Sequence, residues 1–308
     1  MIRLWHVLKS CRQWSKAFSI FNALFVSLAF NAAWSASGLA GSTDIPHVSD
    51  KARENYLQYQ YAGEHRAFAI APGGAWAWRS DASNEAEAEQ LALQDCQSHT
   101  RQKCVLYALN DRVVFDKVQW PRLWGPFADN QAAKAARVGT AVGERFHDLT
   151  WKDATGNKVS LSGLNGKLVF LHFWGSWCPP CLREFPSLRK IHDKIKAEFS
   201  PDIEMVMLQM REPFDQSRMW AEQFEFTDLP LQDSGVKDSE ATTLTLSDGG
   251  MIQDRDLARV FPSTYVLDRN GLVVFSHYGP VGDWLEYLPF LKHAIAETGK
   301  STRVKNTR

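Results

Sequence analysis

The chain has 308 residues, with 35 basic and 35 acidic side chains, 44% hydrophobic residues and five cysteines. That length accommodates two domains, one of them about 150 residues with a full core. Balanced charge leaves no footprint of a nucleic-acid-binding surface, so nucleic acid is not expected among the partners.

The balance conceals an asymmetry. Arg3, Lys9, Arg12 and Lys16 precede the first acidic residue, Asp44, and removing those four leaves 31 basic side chains against 35 acidic ones. Ala17 to Phe30 is an apolar, uncharged run followed by small residues through Gly38. Positive flank, apolar stretch and small-residue exit describe a secretory signal or N-terminal anchor over residues 1–37. As a helix the run is about 21 Å long, short of the roughly 30 Å hydrocarbon core. Extended through residues 17–40 it could just span, so a membrane tether stands beside cleavage. Cys11 lies before the run, which does not fit a lipoprotein signal. Export would place the other four cysteines in an oxidising compartment, the periplasm or an equivalent space.

Residues 51–116 read as a small α+β module. A short helix in the Asp50–Arg66 stretch precedes a strand at residues 67–71, a Pro72-Gly73-Gly74 turn and a return strand at 75–79. A helix follows, capped by Ser83 or Asn84, with Ala88, Leu91, Ala92 and Cys96 on its inner face. Cys104 to Leu109 is strand-like, Asn110-Asp111 a turn, and Arg112 to Phe115 a return, giving a ββαββ order. Cys96 and Cys104 end the helix and begin the next strand, and a structural disulfide there would contribute about 2.5 kcal/mol in the chain-entropy model. The alternative is a second redox pair, but neither cysteine has a neighbour that would activate a thiolate. The module loosely resembles small secreted bacterial domains of unknown function, which brings no activity with it.

Residues 117–141 lack a clear period and read as a linker. From 142 to 298 the order changes. A hairpin spans Phe146 to Leu161, and Leu168 to Trp174 is a buried central strand. The next helix runs to about Phe199, with a possible kink at Pro186. Ile203 to Gln209 is a second buried strand, Phe214 to Phe224 a helix, and Leu229 to Leu231 a short extended piece. Residues 234–256 read as an irregular inserted loop. A hairpin turning at Asn270-Gly271 and a helix capped by Asp283, with Trp284, Leu288, Leu291 and Ile295 inward, complete the domain. Residues 299–308 are a basic tail expected to be disordered.

Trp177-Cys178-Pro179-Pro180-Cys181 carries the chemistry. It places two thiols in the first turn of a helix, where unpaired N–H groups and the positive dipole end stabilise a thiolate. Lowering a cysteine pKa from about 8.5 to about 7 raises the reactive fraction at pH 7 from a few per cent to roughly half. The second cysteine can then attack any mixed disulfide the first one forms. Zinc would need four ligands, and the chain offers no second CxxC and no histidine pair with finger-like spacing, so no metal site is expected. Transient Cu(I) binding by the reduced thiols is chemically reasonable.

The order of elements is that of a thioredoxin fold, an α/β architecture with a central mixed sheet, here preceded by the small α+β module. Gly166-Lys167-Leu168 through Cys181 with Glu184 and Pro186, and Phe261-Pro262-Ser263 through Gly271, resemble the exported thiol–disulfide oxidoreductases of the TlpA/ResA type. The resemblance covers about residues 142–297. It implies that Cys178 is the exposed nucleophile and Cys181 the buried resolving thiol, with no cofactor beyond their disulfide. It also implies a cis-proline at Pro262 beside the site, leaving the Phe261 backbone to pair with an extended substrate strand. The alternative for Pro262 is an ordinary trans start to an edge strand. Trp177 should border the substrate groove, with Trp174 packing behind it.

Two readings stand for Glu212. It tunes the thiols, as an acidic residue after that strand does in ResA-like members, or it is a solvated strand-end residue paired with Arg211. Glu184 is assigned either a surface or helix-dipole role or one in catalysis. His172 reads as a satisfied core histidine. The family implies protein disulfides as substrates, including apocytochrome c or copper-protein thiol pairs, and a membrane thiol-electron donor. Reduction is the expected direction. An oxidase or isomerase on the same scaffold, or a binding or scaffold protein with a Cu(I)-binding dithiol, are the rivals.

Overall fold

A computed structural model describes residues 45–298 except 73, 101, 124–129 and 241. The expected signal or anchor segment (1–37, with the possible tether at 17–40) and the basic tail (299–308) lie outside the described residues. No helix among the described residues is long and apolar enough to cross a membrane.

The first sheet has four strands, β1 (Ala67–Ile70), β2 (Trp76–Arg79), β3 (Val105–Leu109) and β4 (Arg112–Val113), in the order β2-β1-β3-β4 and antiparallel throughout. Helix α1 (Asp50–Gln60) starts at Ser49, whose hydroxyl accepts from Ala52 N, and buries Ala52, Tyr56 and Tyr59 at helical spacing. Strand β1 is buried on both faces, and its alternation sorts side chains by size. Phe68 and Ile70 join the aromatic layer under α1, with Tyr56 edge-on to Phe68 at 5.1 Å. Ala67 and Ala69 pack against Ala88, Ala92 and Cys96 of α2 (Glu85–Ser98), which Asn84 caps by accepting from Glu87 N. Leu91 does not belong to that face. It is 39% exposed, because the buried stripe runs at i, i+4, i+8 and Leu91 lies about 100° from its centre. A disulfide joins Cys96 and Cys104, as expected.

The second sheet has nine strands. Eight follow the order β11-β10-β5-β9-β8-β7-β12-β13, and β6 (Lys158–Ser160) pairs with β5 (Leu149–Lys152). Strands β7 (Leu168–Trp174) and β8 (Ile203–Gln209) are parallel, as are β8 and β9 (Leu231–Asp233), while β12 (Ser263–Leu267) runs antiparallel to both β7 and β13 (Val273–Tyr278). All seven residues of β7 are buried, which is why it reads as a continuous apolar run rather than an alternating one. Before this sheet, a single 3₁₀ turn at Trp120–Leu123 and helix α3 (Asn130–Ala135) occupy the stretch read as a linker. Helix α4 (Pro179–Glu198) runs as one element through Pro186, and α5 (Phe214–Gln223) follows β8.

Residues 234–256 are not the irregular loop expected. They form a hairpin, β10 (Thr243–Leu246) and β11 (Met251–Gln253), followed by the short helix α6 (Asp254–Leu257). The hairpin adds to the sheet edge at β5, pairing Thr245 with Thr150 and Leu246 with Leu149. Edge pairing satisfies a ladder that would otherwise face solvent, and Leu244 is fully buried there. The final helix differs in detail. Asp283 accepts from Leu285 N as expected, but the first turn is 3₁₀ (Trp284–Tyr287) before α7 (Leu288–Glu297). Trp284 and Leu291 are buried, Leu288 and Ile295 only half-buried, and Phe290 and Ala294 complete the inner face.

The aromatic face of the small sheet and the larger sheet share one continuous core. Polar contacts reinforce the junction. Gln102 Nε2 donates to Ser276 O at 3.1 Å, and His47, stacked on Tyr287 at 4.2 Å, reaches Glu286 O at 2.8 Å.

Candidate active site

Strand β7 ends at Trp174, and the chain turns through Gly175-Ser176-Trp177 before α4 begins. Gly175 is required by a close approach: a Cβ there would lie 2.3 Å from Trp177 Nε1. The Trp177 indole folds back over that spot, donates to Met210 O at 2.8 Å and remains 42% exposed. Phe261 meets it edge-on at 5.2 Å. Trp174 is fully buried, packs on Phe185 and Trp220, and donates to Met207 O.

Cys178 is the N-cap of α4, and its Sγ accepts from Cys181 N at 3.3 Å. Pro179 and Pro180 fill the first two helical positions, where a missing N–H costs nothing in the helix ladder. They also remove two donors that could have faced the sulfur. Cys178 and Cys181 are joined as a disulfide. In this oxidised state Cys178 is only 3% exposed and Cys181 wholly buried, so the expected exposed nucleophile is a narrow opening. The order of accessibility within the pair is as expected.

The Phe261–Pro262 peptide is cis, which removes the alternative of a trans edge-strand start. Neither backbone group of Phe261 makes a main-chain hydrogen bond among the described residues, while Pro262 O accepts from Gly279 N at 2.8 Å. Two guanidinium groups stand over the Phe261 ring, Arg211 at 5.5 Å and Arg255 at 5.8 Å.

Glu212 is 3% exposed, which overturns its reading as a solvated residue. Its carboxylate accepts from Ser176 N and Ser217 Oγ, each at 2.6 Å, and from Ser176 Oγ. It therefore braces the turn two residues before Cys178. Arg211 is not its partner: Arg211, with φ +63°, binds Asp254 through Nε and Nη2 at 2.5 and 2.8 Å.

Glu184 departs furthest from expectation. It is neither a surface nor a helix-dipole residue but 2% exposed. Its Oε1 accepts from Trp284 Nε1 at 2.5 Å and Val281 N at 3.0 Å, and its Oε2 lies 3.9 Å from His172 Nε2. Burial outweighs the two hydrogen bonds and raises its pKa to about 8. Burial likewise lowers the His172 pKa to about 3. The contact is therefore between a protonated carboxyl and a neutral imidazole, not an ion pair. His172 Nδ1 bonds Thr264 Oγ1 at 2.8 Å, while Nε2 and Glu184 Oε2 have no partner within hydrogen-bond range. His172 is buried as expected, but satisfied at one nitrogen only.

Ser176, Ser217, Asp254 and Arg255 were not singled out from sequence. Away from the dithiol, His192, Asp193 and Asp228 cluster at the surface, where Asp228 already pairs with Arg189.

The Redoxin family profile matches residues 141–286. A thiol–disulfide oxidoreductase ResA of Geobacillus kaustophilus is 31% identical over 137 residues, covering 44% of this chain and 69% of that protein. A second ResA, from Halalkalibacterium halodurans, is 26% identical over 168 residues, covering 54% and 82% respectively. Among solved structures, a secreted thiol-disulfide isomerase from Corynebacterium glutamicum aligns at 20% identity and a TM-score of 0.38, over 48% of this chain and 83% of that one. The small sheet before residue 141 falls outside the Redoxin match. An identity above 30% sustained across more than two-thirds of a ResA protein makes this chain a member of the ResA-like thiol–disulfide oxidoreductases of the thioredoxin superfamily.

Proposed function

We propose that the chain is an exported reductase of disulfides in extracytoplasmic proteins. Cys178 thiolate attacks one sulfur of the partner disulfide, and the other partner sulfur leaves with the bonding pair and takes up a proton. Cys181 then attacks Cys178 Sγ, releasing the second partner thiol and closing the Cys178–Cys181 disulfide. Two electrons and two protons pass to the partner, and a membrane thiol donor returns the pair to the dithiol state. Export rests on the N-terminal segment read from sequence. Apocytochrome c and copper-site thiol pairs are the substrate classes that the ResA-like likeness suggests.

The observation that carries the direction is the donor count at Cys178. With proline at both first helical positions, Cys181 N–H is the one main-chain donor to the sulfur among the described residues. Fewer donors mean a less stabilised thiolate, and a less stabilised reduced form gives a more reducing couple. Glu212, bracing Ser176, adds a carboxylate close to the dithiol, which opposes thiolate formation.

Equilibration with dithiol buffers tests the direction. A potential below about −220 mV is expected, and a value near −120 to −180 mV would instead mark an oxidase or isomerase. The Cys181→Ala variant should accumulate mixed disulfides through Cys178, and mass spectrometry of those adducts would name the substrate. Recovery of no covalent partner would count against general exchange.

A further inference from the structure

We infer that Arg255 and Arg259 select partners carrying an acidic segment beside the disulfide that the dithiol reduces. This rests on the reductase reading above and adds the substrate class.

The hairpin β10–β11 and helix α6 bring charge to the rim of the site. Asp254, fully buried, neutralises Arg211. The next residue, Arg255, is exposed and also stands over the Phe261 ring, at 5.8 Å. Its Nη1 donates to Arg259 O at 2.5 Å, which holds the two cations on one turn. Neither Arg255 nor Arg259 has a carboxylate partner among the described residues. Of the acidic groups nearby, Glu212 is buried on Ser176 and Ser217, and Asp256 is exposed. Two exposed arginines against one exposed aspartate leave the outward charge of this rim positive.

Distance sets which partner residues are read. Phe261 lies 5.2 Å from Trp177 and 5.8 Å from Arg255, so Arg255 is within about 11 Å of the Trp177 ring, the reach of about three extended residues. Val260, 50% exposed, adds an apolar surface between Arg259 and Phe261. Arg259 and Val260 also form one wall of a cleft of about 490 Å³ whose other wall is Ser98 and His99 of the small module. An extended acidic flank leaving the dithiol has room to follow it. Charge complementarity of this kind raises encounter rate and discriminates against basic partners.

The test uses the full chain and synthetic peptides containing one disulfide, identical except for Asp/Glu or Lys within three positions of the cysteine. Neutral hydroxyethyl disulfide serves as the reference substrate. Wild type should reduce the acidic peptide with kcat/KM about five- to tenfold above the basic one, from two exposed ion pairs. The ratio should shrink as salt rises. Arg255→Glu with Arg259→Glu should invert the preference between the acidic and the basic peptide. Equal rates for the two peptides in wild type, with hydroxyethyl disulfide still reduced, would overturn the inference. If wild type reduces none of the three, the reductase reading fails instead. Should the double variant not fold, the wild-type ratio and its salt dependence still decide.

Discussion

His172 Nε2 and Glu184 Oε2 face each other across 3.9 Å of interior, each without a hydrogen-bond partner. The pair sits between the central strand and the helix that carries the dithiol. Its protonation is set by burial, which keeps Glu184 protonated to about pH 8 and His172 neutral to about pH 3.

Glu184 makes stability fall with rising pH. In the unfolded chain it loses its proton near pH 4.5, whereas in the folded chain it keeps it to about pH 8. Between those values the folded state binds more protons, so its contribution declines by up to about 1.4 kcal/mol per pH unit. Glu184→Gln keeps an acceptor for Trp284 and removes the titration. Thermal melts from pH 4.5 to 8 should show the variant gaining on wild type as pH rises. A constant difference across that range would refute the buried protonated carboxyl.

Buried histidines act in the opposite direction at lower pH. Burial lowers the pKa of His47 and His277 to about 4 and that of His172 to about 3. Unfolding lets each take up a proton below about 6.5, so stability should drop as pH falls from 6.5 toward 4. Urea midpoints measured at pH 4.5, 5.5 and 6.5 check this. Equal midpoints would mean that the three rings are not buried neutral.

Pro180→His supplies both a backbone N–H and a cation at the second position of α4. The Cys178 pKa should fall by about one unit, and the potential should rise by about 30 mV or more toward oxidising values. Thiolate absorbance against pH and dithiol equilibration read the two effects. No change in either would remove the donor-count argument for a reducing couple.

If the Cys96–Cys104 disulfide serves structure alone, replacing both residues by serine should cost about 2–3 kcal/mol of stability. Reduction of hydroxyethyl disulfide should be unchanged under conditions where the variant is folded. A selective loss of turnover without loss of stability would reassign the pair to electron transfer.

Elements whose local pattern and tertiary role agree were legible in the chain. Leu168–Trp174 reads as a buried strand because every residue is apolar or aromatic except His172, and Cys178-Pro-Pro-Cys181 announces a helix start by its prolines. The insert after Ser234 reads as a loop because its charged and polar flanks outweigh four alternating residues, Thr243 to Leu246, and the Asp248-Gly249-Gly250 turn that follows them. Only pairing with β5 makes that short pattern a strand. Glu184 carried a usable signal: Cys181, Glu184, Leu188, Ile191 and Ile195 share one helical stripe, and a carboxyl in an apolar stripe is a buried one.

The sequence by itself determined the dithiol, its place at a helix start and the order of elements around it. These are local or periodic features, and spacing along one chain encodes them. The tertiary structure alone decided that Glu212 braces Ser176, that Glu184 meets His172, and that Arg255 stands over Phe261. Those contacts join residues 36, 12 and 6 positions apart through separate elements. No periodicity records them, because a side chain's protonation and partners depend on which other elements exclude water around it.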